Sequence, residues 1–227
     1  MRYLTLFSVA LATTCALGIV VAASAVALPT ILPETLKSWI GKSLGEVKVE
    51  KQGGLATTEC ASATGEGTIE ANGHSGLYHI TFEKCEGADT VCTGLGDASG
   101  TILSLGSWHI VFYTLKATLG EAGVATLFLV DNIHFECGSF GLGLQEAFAN
   151  GMVLCPNTDE VALTKAFEVL CKEGAALHPL LSKYYNAAGE LTKITPLEFS
   201  EDEGTEVEGL VIGNSRVTVS EAGLMML

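Results

Sequence analysis

"SGLYHITFEKC", residues 75–85, carries Tyr78, Ile80, Thr81 and Phe82 between a Ser-Gly start and a Cys end. β-branched and aromatic residues bounded by turn formers mark a strand, not a helix. The chain runs on through "FEKCEGADTVCTG" (82–94), which sets Cys85 and Cys92 on either side of a short acidic loop. Cys85 ends one strand and Cys92 begins the next segment, so a bridge between them would close the hairpin loop "EGADTV". Chain entropy assigns so small a loop roughly 2.5 kcal/mol.

The same texture extends in both directions. "GEVKVEK" (45–51) alternates, and "GTIEANG" (67–73) ends in a turn. "TILSLGSWHIVFYTLKATLG" (101–120) reads as two strands or as one bent at Gly106. "GVATLFLVDNIHFECG" (123–138) is nearly all strand, with a kink expected at Asp131-Asn132. "EVALTKAFEVLCKEG" (160–174) is read as a strand, and "ELTKITPLEF" and "EVEGLVIGNSRVTVSE" follow. The chain holds 26 glycines against 5 prolines, punctuation that suits hairpins and bulges in antiparallel sheet. One or two short helices are expected, with candidates at 33–41 and 175–189. The fold class is therefore all-β: an antiparallel sandwich or barrel with one or two short helices, stapled by disulfides.

The first residues, "MRYLTLFSVALATTCALGIVVAASAVALP", place one Arg before an apolar run that closes on Ala-x-Ala sites at 23–25 and 25–27. This is the pattern of a secretory signal peptide over 1–27, leaving 28–227 as one β-rich extracellular domain, secreted or held at the cell surface. No later segment is long and apolar enough to span a bilayer. Net charge is −14, which repels phosphate backbones and argues against nucleic acid as a partner.

Beyond Cys15, six cysteines remain: Cys60, Cys85, Cys92, Cys137, Cys155 and Cys171. An even number in an exported chain argues for disulfides first, with fifteen pairings open. Local spacing favours Cys85–Cys92 and Cys155–Cys171, which leaves Cys60–Cys137. A thioredoxin-type site wants two intervening residues at a helix start, and here six intervene. His134 and Cys137 have ligand-like spacing, but an i,i+3 pair in a strand points to opposite faces.

The search for catalysis returns imitations. "GDASG" (96–100) has an extra Ala98 where a serine-protease loop has none, and "GKS" (41–43) lacks the upstream Gly of a phosphate loop. No G-x-S-x-G or H-E-x-x-H occurs. No catalytic, cofactor-binding or metal residue is assigned. "EFSEDEGTEVEG" (198–209) gathers six carboxylates around one expected turn, where weak Ca²⁺ binding is conceivable without the ligand order of a dedicated loop. In "SWHIVFY" (107–113), Trp108, Ile110 and Phe112 share one face and His109, Val111 and Tyr113 the other, a pattern read as core packing on both sides.

"ILPETLKSWIGKSLGEVKVEKQGGLATTECASATGEGTIE", then "ITFEKCEG…VCTG", then "FECGSF" resemble a group of secreted actinobacterial proteins. The likeness lies in a Cys followed by "TGEG", a strand ending in a Cys-containing turn, and a later F-x-C-G. It implies export and a β-rich fold, and no functional residue. Three readings of function stand: an exported non-enzymatic binding or structural module, a secreted hydrolase using Asp or Glu acid–base chemistry, and a carrier of an apolar ligand inside a barrel. An apolar-lined cavity would favour the carrier, and a solid interior would exclude it.

Overall fold

The structure, a computed structural model, describes residues 38–51, 57–114, 122–139, 143–157, 166–171, 183–186, 190–195, 197–201 and 207–219. The expected signal peptide at 1–27 lies outside them. The described residues form thirteen strands. Six make up the first half: β1 (Ser38–Ser43), β2 (Val47–Lys51), β3 (Thr57–Thr68), β4 (Ser75–Gly87), β5 (Thr90–Gly94) and β6 (Thr101–Thr114). The second half adds β7 (Ala122–Ser139), β8 (Gly143–Pro156), β9 (Ala166–Cys171), β10 (Lys183–Tyr185), β11 (Leu191–Lys193), β12 (Glu198–Glu201) and β13 (Val207–Val219).

Every ladder is antiparallel, and the ladders form a ring. β1 pairs β3, β3 pairs β4, β4 pairs β6, β6 pairs β7, and β7 pairs β8. β8 pairs β12, β12 pairs β13, and β13 returns to β1. The sheet is thus a closed barrel, which leaves no free edge along this circuit. β2 extends β1 along the same flank of β13, through Val211↔Val49 and Ile212↔Lys48. The seam between β8 and β13 is made of two short strands, β12 and β9. There, Cys155 on β8 is bridged to Cys171 on β9, and Asn157 pairs with Val169.

Inward and outward residues alternate, but the phase changes at two places. On β3 the inward positions pass from Cys60 to Ala63, and on β4 from the half-buried Phe82 to Cys85. Lys84 takes a left-handed backbone there, φ 53°, and the Cys85 N–H leaves the ladder for the Gly100 carbonyl at 2.9 Å. On β7 the register shifts between Val130 and Ile133, so the kink expected at Asp131-Asn132 is a bulge that keeps both Val130 and Ile133 inward. β6, by contrast, is one uninterrupted strand through Gly106.

Gly106 exemplifies a repeated device. Four aromatic residues stand directly opposite a glycine on the next strand: Trp39 opposite Gly67, Trp108 opposite Gly76, Tyr78 opposite Gly106, and Tyr113 opposite Gly123. Each ring folds over its glycine. A Cβ at Gly106 would lie 2.8 Å from the Tyr78 ring, and one at Gly123 2.7 Å from Tyr113. Aromatic cover of a strand glycine repairs the missing side chain and fixes the register.

Two apolar clusters fill the barrel and one lies outside it. Trp39, Tyr78, Trp108, Ile110 and Val169 pack in the first, with Trp39 edge-on to Trp108 at 6.4 Å. Cys60, Cys85, Cys92, Ile102 and Phe135 belong to the second. Outside, Val111, Leu127 and Leu154 are covered by Ile194 and Tyr184, so both faces of 107–113 are core, as the sequence implied.

Three expectations are corrected. The helix at 33–41 is a strand over its described part, because Trp39 is buried while Ser38 and Ile40 are exposed, an alternation of two; residues 33–37 lie outside the described set. The helix at 175–189 is likewise strand where it is described, β10 at Lys183–Tyr185, in which Tyr184 pairs Tyr113 of β6. Residues 175–182 and 187–189 lie outside the described set, and no helix occurs among the described residues. The pairings Cys85–Cys92 and Cys60–Cys137 are replaced by Cys60–Cys85 and Cys92–Cys137, while Cys155–Cys171 stands. The loop "EGADTV" is itself mostly strand, with only Ala88 and Asp89 in the turn at φ 48° and 63°. The β4–β5 ladder ends at Glu86↔Val91, whereas β3 sets Cys60 opposite Cys85 and β7 sets Cys137 opposite Cys92, each at a Cα–Cα distance of 4.0 Å.

Gly106→Val tests the aromatic cover. The new side chain meets Tyr78 and the Leu129 carbonyl, and urea denaturation should show a loss of about 2–3 kcal/mol. Gly45→Ala, where nothing lies within 4 Å, should stay within about 0.5 kcal/mol.

Candidate functional site

The two inner clusters do not meet fully. Between them lies a cavity of about 120 Å³, walled by Tyr78, Ile80 and Phe128 on one hand and by Ile102, Phe135 and Leu197 on the other. The space exists because several inward positions carry small side chains: Ser43, Ala63, Ser104, Ala149 and Ser215 all line it. A ring of eight strands leaves an interior that side chains just fill or that holds one small ligand. An apolar cavity of ~150 Å³ stays dry and takes up benzene or xenon, so this lumen is of ligand-holding size. A second void of about 20 Å³ shares Trp39, Phe128, Val169 and Val217 with it, and those four residues form the layer between them.

The wall is almost wholly apolar and, among the described residues, carries no Asp, Glu, Arg or His. Lys42 reaches it only from an exposed position on β1. Ser43 Oγ accepts the Ala63 N–H at 2.9 Å. The deepest polar feature is a pair of hydroxyls, Tyr78 on β4 and Ser104 on β6, 3.2 Å apart and each nearly inaccessible at 4% and 2% exposure. Tyr78 also meets Phe128 edge-on, with ring centroids 5.3 Å apart. Burial pushes the Tyr78 phenol up to about 12. The Ser104 hydrogen bond opposes that shift, and the charge of Asp131 adds to it.

The residues singled out from sequence fall mostly elsewhere. All six cysteines are in disulfides, and of these only Cys60 and Cys171 line the cavity. The sulfur of Cys137 is bonded to Cys92, and the His134 ring stacks on Phe148 at 4.2 Å, so "HFEC" is not a ligand pair. "GDASG" is the β5–β6 turn, in which Asp97 Oδ2 accepts the Leu103 N–H at 3.0 Å. In the acidic stretch, Glu198 on β12 stands opposite Glu208 on β13, and 202–206 lie outside the described residues. Among the described residues no three His, Cys, Asp or Glu side chains gather around a common point. Near the β3–β4 turn, burial and the neighbouring His74 lower the pKa of His109, against a raising contribution from Glu70.

Sequence reasoning found the strands that build the lumen but not the lumen itself. Its signal was the set of small inward residues facing aromatic ones. That signal could not be read until the phase changes at Lys84 and Asp131 were known.

No family model, no curated protein and no solved structure matches this chain. The three disulfides mark folding in an oxidising compartment. No helix among the described residues is long and apolar enough to cross a membrane.

The phenol has a consequence in alkali. Its folded pKa lies above the ordinary 10, so the stability held by the neutral form is intact below about pH 10 and falls as pH rises toward 12. Stability measured by denaturation across that range should drop more steeply for the native protein than for Tyr78→Phe; equal slopes contradict the assignment.

Proposed function

We propose that this chain is an exported, non-enzymatic binding module that carries a small apolar ligand in the barrel lumen. The observation that carries the reading is the cavity of about 120 Å³ with its apolar wall. Burial of hydrocarbon in such a space is favourable at roughly 25 cal/mol per Å² removed from water. The disulfides suit a module that works outside the reducing cytosol. The signal-peptide pattern at 1–27 and the resemblance to secreted actinobacterial proteins support export to the medium or the cell surface. The acid–base hydrolase gains no support from the lumen, where no carboxylate among the described residues lines the wall.

Toluene is a suitable first probe. A ligand that binds only the folded state raises stability by RT ln(1 + [L]/Kd), about 1.4 kcal/mol at ten times Kd. Saturating toluene should raise the melting temperature of the native protein. It should not do so for Ala149→Leu, whose larger side chain fills the lumen. Ala63→Leu serves as a second filling variant. A melting temperature indifferent to toluene, or raised equally in native and filled proteins, overturns the reading.

A further inference from the structure

The lumen's polar inventory says what kind of molecule belongs there. Tyr78 and Ser104 together own two O–H groups, and each oxygen can also accept. Their mutual bond at 3.2 Å uses one O–H. Neither hydroxyl has another hydrogen-bonding partner among the described residues, and both line the cavity. One donor is thus left over inside an apolar space, in side chains that are 4% and 2% exposed. A buried donor without a partner is costly, and most such groups in native proteins are satisfied by protein, water or ligand. The apolar wall offers a water few further bonds, and a buried water ordinarily makes about three.

The other hydroxyls on the wall stand apart from this pair. Ser43 Oγ accepts from Ala63 and keeps its own O–H, and Ser215, its cross-strand partner, is half-buried. Thr58 Oγ1 lies 4.0 Å from Cys92 Sγ, and Thr64 is exposed. Among the described residues the one cation on the wall is Lys42, at an exposed position on β1, so a carboxylate or phosphate inside the lumen would lack a buried counter-charge, which is strongly unfavourable. A purely hydrocarbon ligand would leave the spare O–H unpaired. A neutral molecule with one oxygen meets both conditions.

We propose, building on the lumen as the ligand site, that its ligand is a compact neutral hydrocarbon skeleton bearing one accepting oxygen, such as a ketone or an ester. The Tyr78–Ser104 hydroxyl pair binds that oxygen through its free O–H. The apolar wall supplies most of the affinity, and the pair supplies the discrimination. The geometry makes the pair a specificity device rather than a catalytic one, since no carboxylate or imidazole accompanies it on the wall among the described residues.

The test uses three aromatic probes of similar size (toluene, acetophenone and benzoate), titrated calorimetrically at neutral pH into the native protein, Ser104→Ala and Tyr78→Phe/Ser104→Ala. The double variant removes both hydroxyls, keeps the ring over Gly106, and should fold, because it deletes an incompletely bonded polar pair. The native protein should bind acetophenone and toluene and reject benzoate. The double variant should lose about five- to tenfold in acetophenone affinity, the worth of one neutral hydrogen bond, while its toluene affinity stays within twofold. Ser104→Ala, which keeps the phenol as donor, should retain acetophenone affinity within about threefold. Toluene binding with no acetophenone loss in the double variant leaves the lumen standing as an apolar site and overturns the hydroxyl pair as its reader. An equal loss for both probes makes the pair a packing element and overturns the proposal in the same way. Binding of neither probe by the native protein removes the lumen reading and this proposal with it.

Discussion

The closing of the sheet by its last strand is the constraint on which everything else depends. β13 accepts β1 and β2 along one edge and β12 and β9 along the other. Without that strand the sheet has two long open edges, with unpaired backbone groups along each. With it the sheet has an inside. The pairing is far apart in sequence, since Trp39 meets Val219, so its loop-closure entropy must be offset by what the ring encloses. The Cys155–Cys171 bridge sits on the weaker side of this closure, where two short strands complete the seam. The other two bridges tie strands that are already directly paired, and so fix register more than topology.

Once closed, the interior is shaped by an uneven division of volume. Aromatic side chains at Trp39, Tyr78 and Trp108 lean over glycines on the next strand and pack into one cluster. That device places bulk at one level of the barrel. Lower down, Ala63, Ala149, Ser43 and Ser104 contribute little volume, and Phe135 with Ile102 builds a second cluster beyond them. The lumen is the gap between two well-packed layers. It is as much a product of small residues as of large ones, and the same arrangement leaves a phenol and a serine hydroxyl in a place where neither finds a full set of partners.

Strand texture was legible in the sequence, because β-branched and aromatic runs between glycine-rich turns have one simple reading. The two-faced packing of 107–113 and the kink at Asp131-Asn132 were legible for the same reason. The helix at 33–41 failed because "PETLKSWIG" is short, and its single large inward residue, Trp39, satisfies either period. Cys155–Cys171 was legible from spacing, but the other two pairings failed because proximity in sequence was taken for proximity in space. Cys85 and Cys92 flank a two-residue turn, yet their partners come from β3 and β7, whose register is a property of the whole sheet. The lumen was invisible for a related reason. Deciding whether Tyr78 or His79 faces inward requires knowing where Lys84 turns the strand, and a left-handed lysine leaves no mark in the sequence.

Xenon examines the central claim without presuming any particular ligand. Titration followed by ¹²⁹Xe NMR, with methyl shifts assigned for Ile80 and Ile102, asks only whether an accessible apolar space exists inside the barrel. The account predicts one saturable site that shifts both isoleucines and disappears in Ala149→Leu. A linear, unsaturable xenon response that is the same in both proteins would mean the barrel is solid, and would contradict the account.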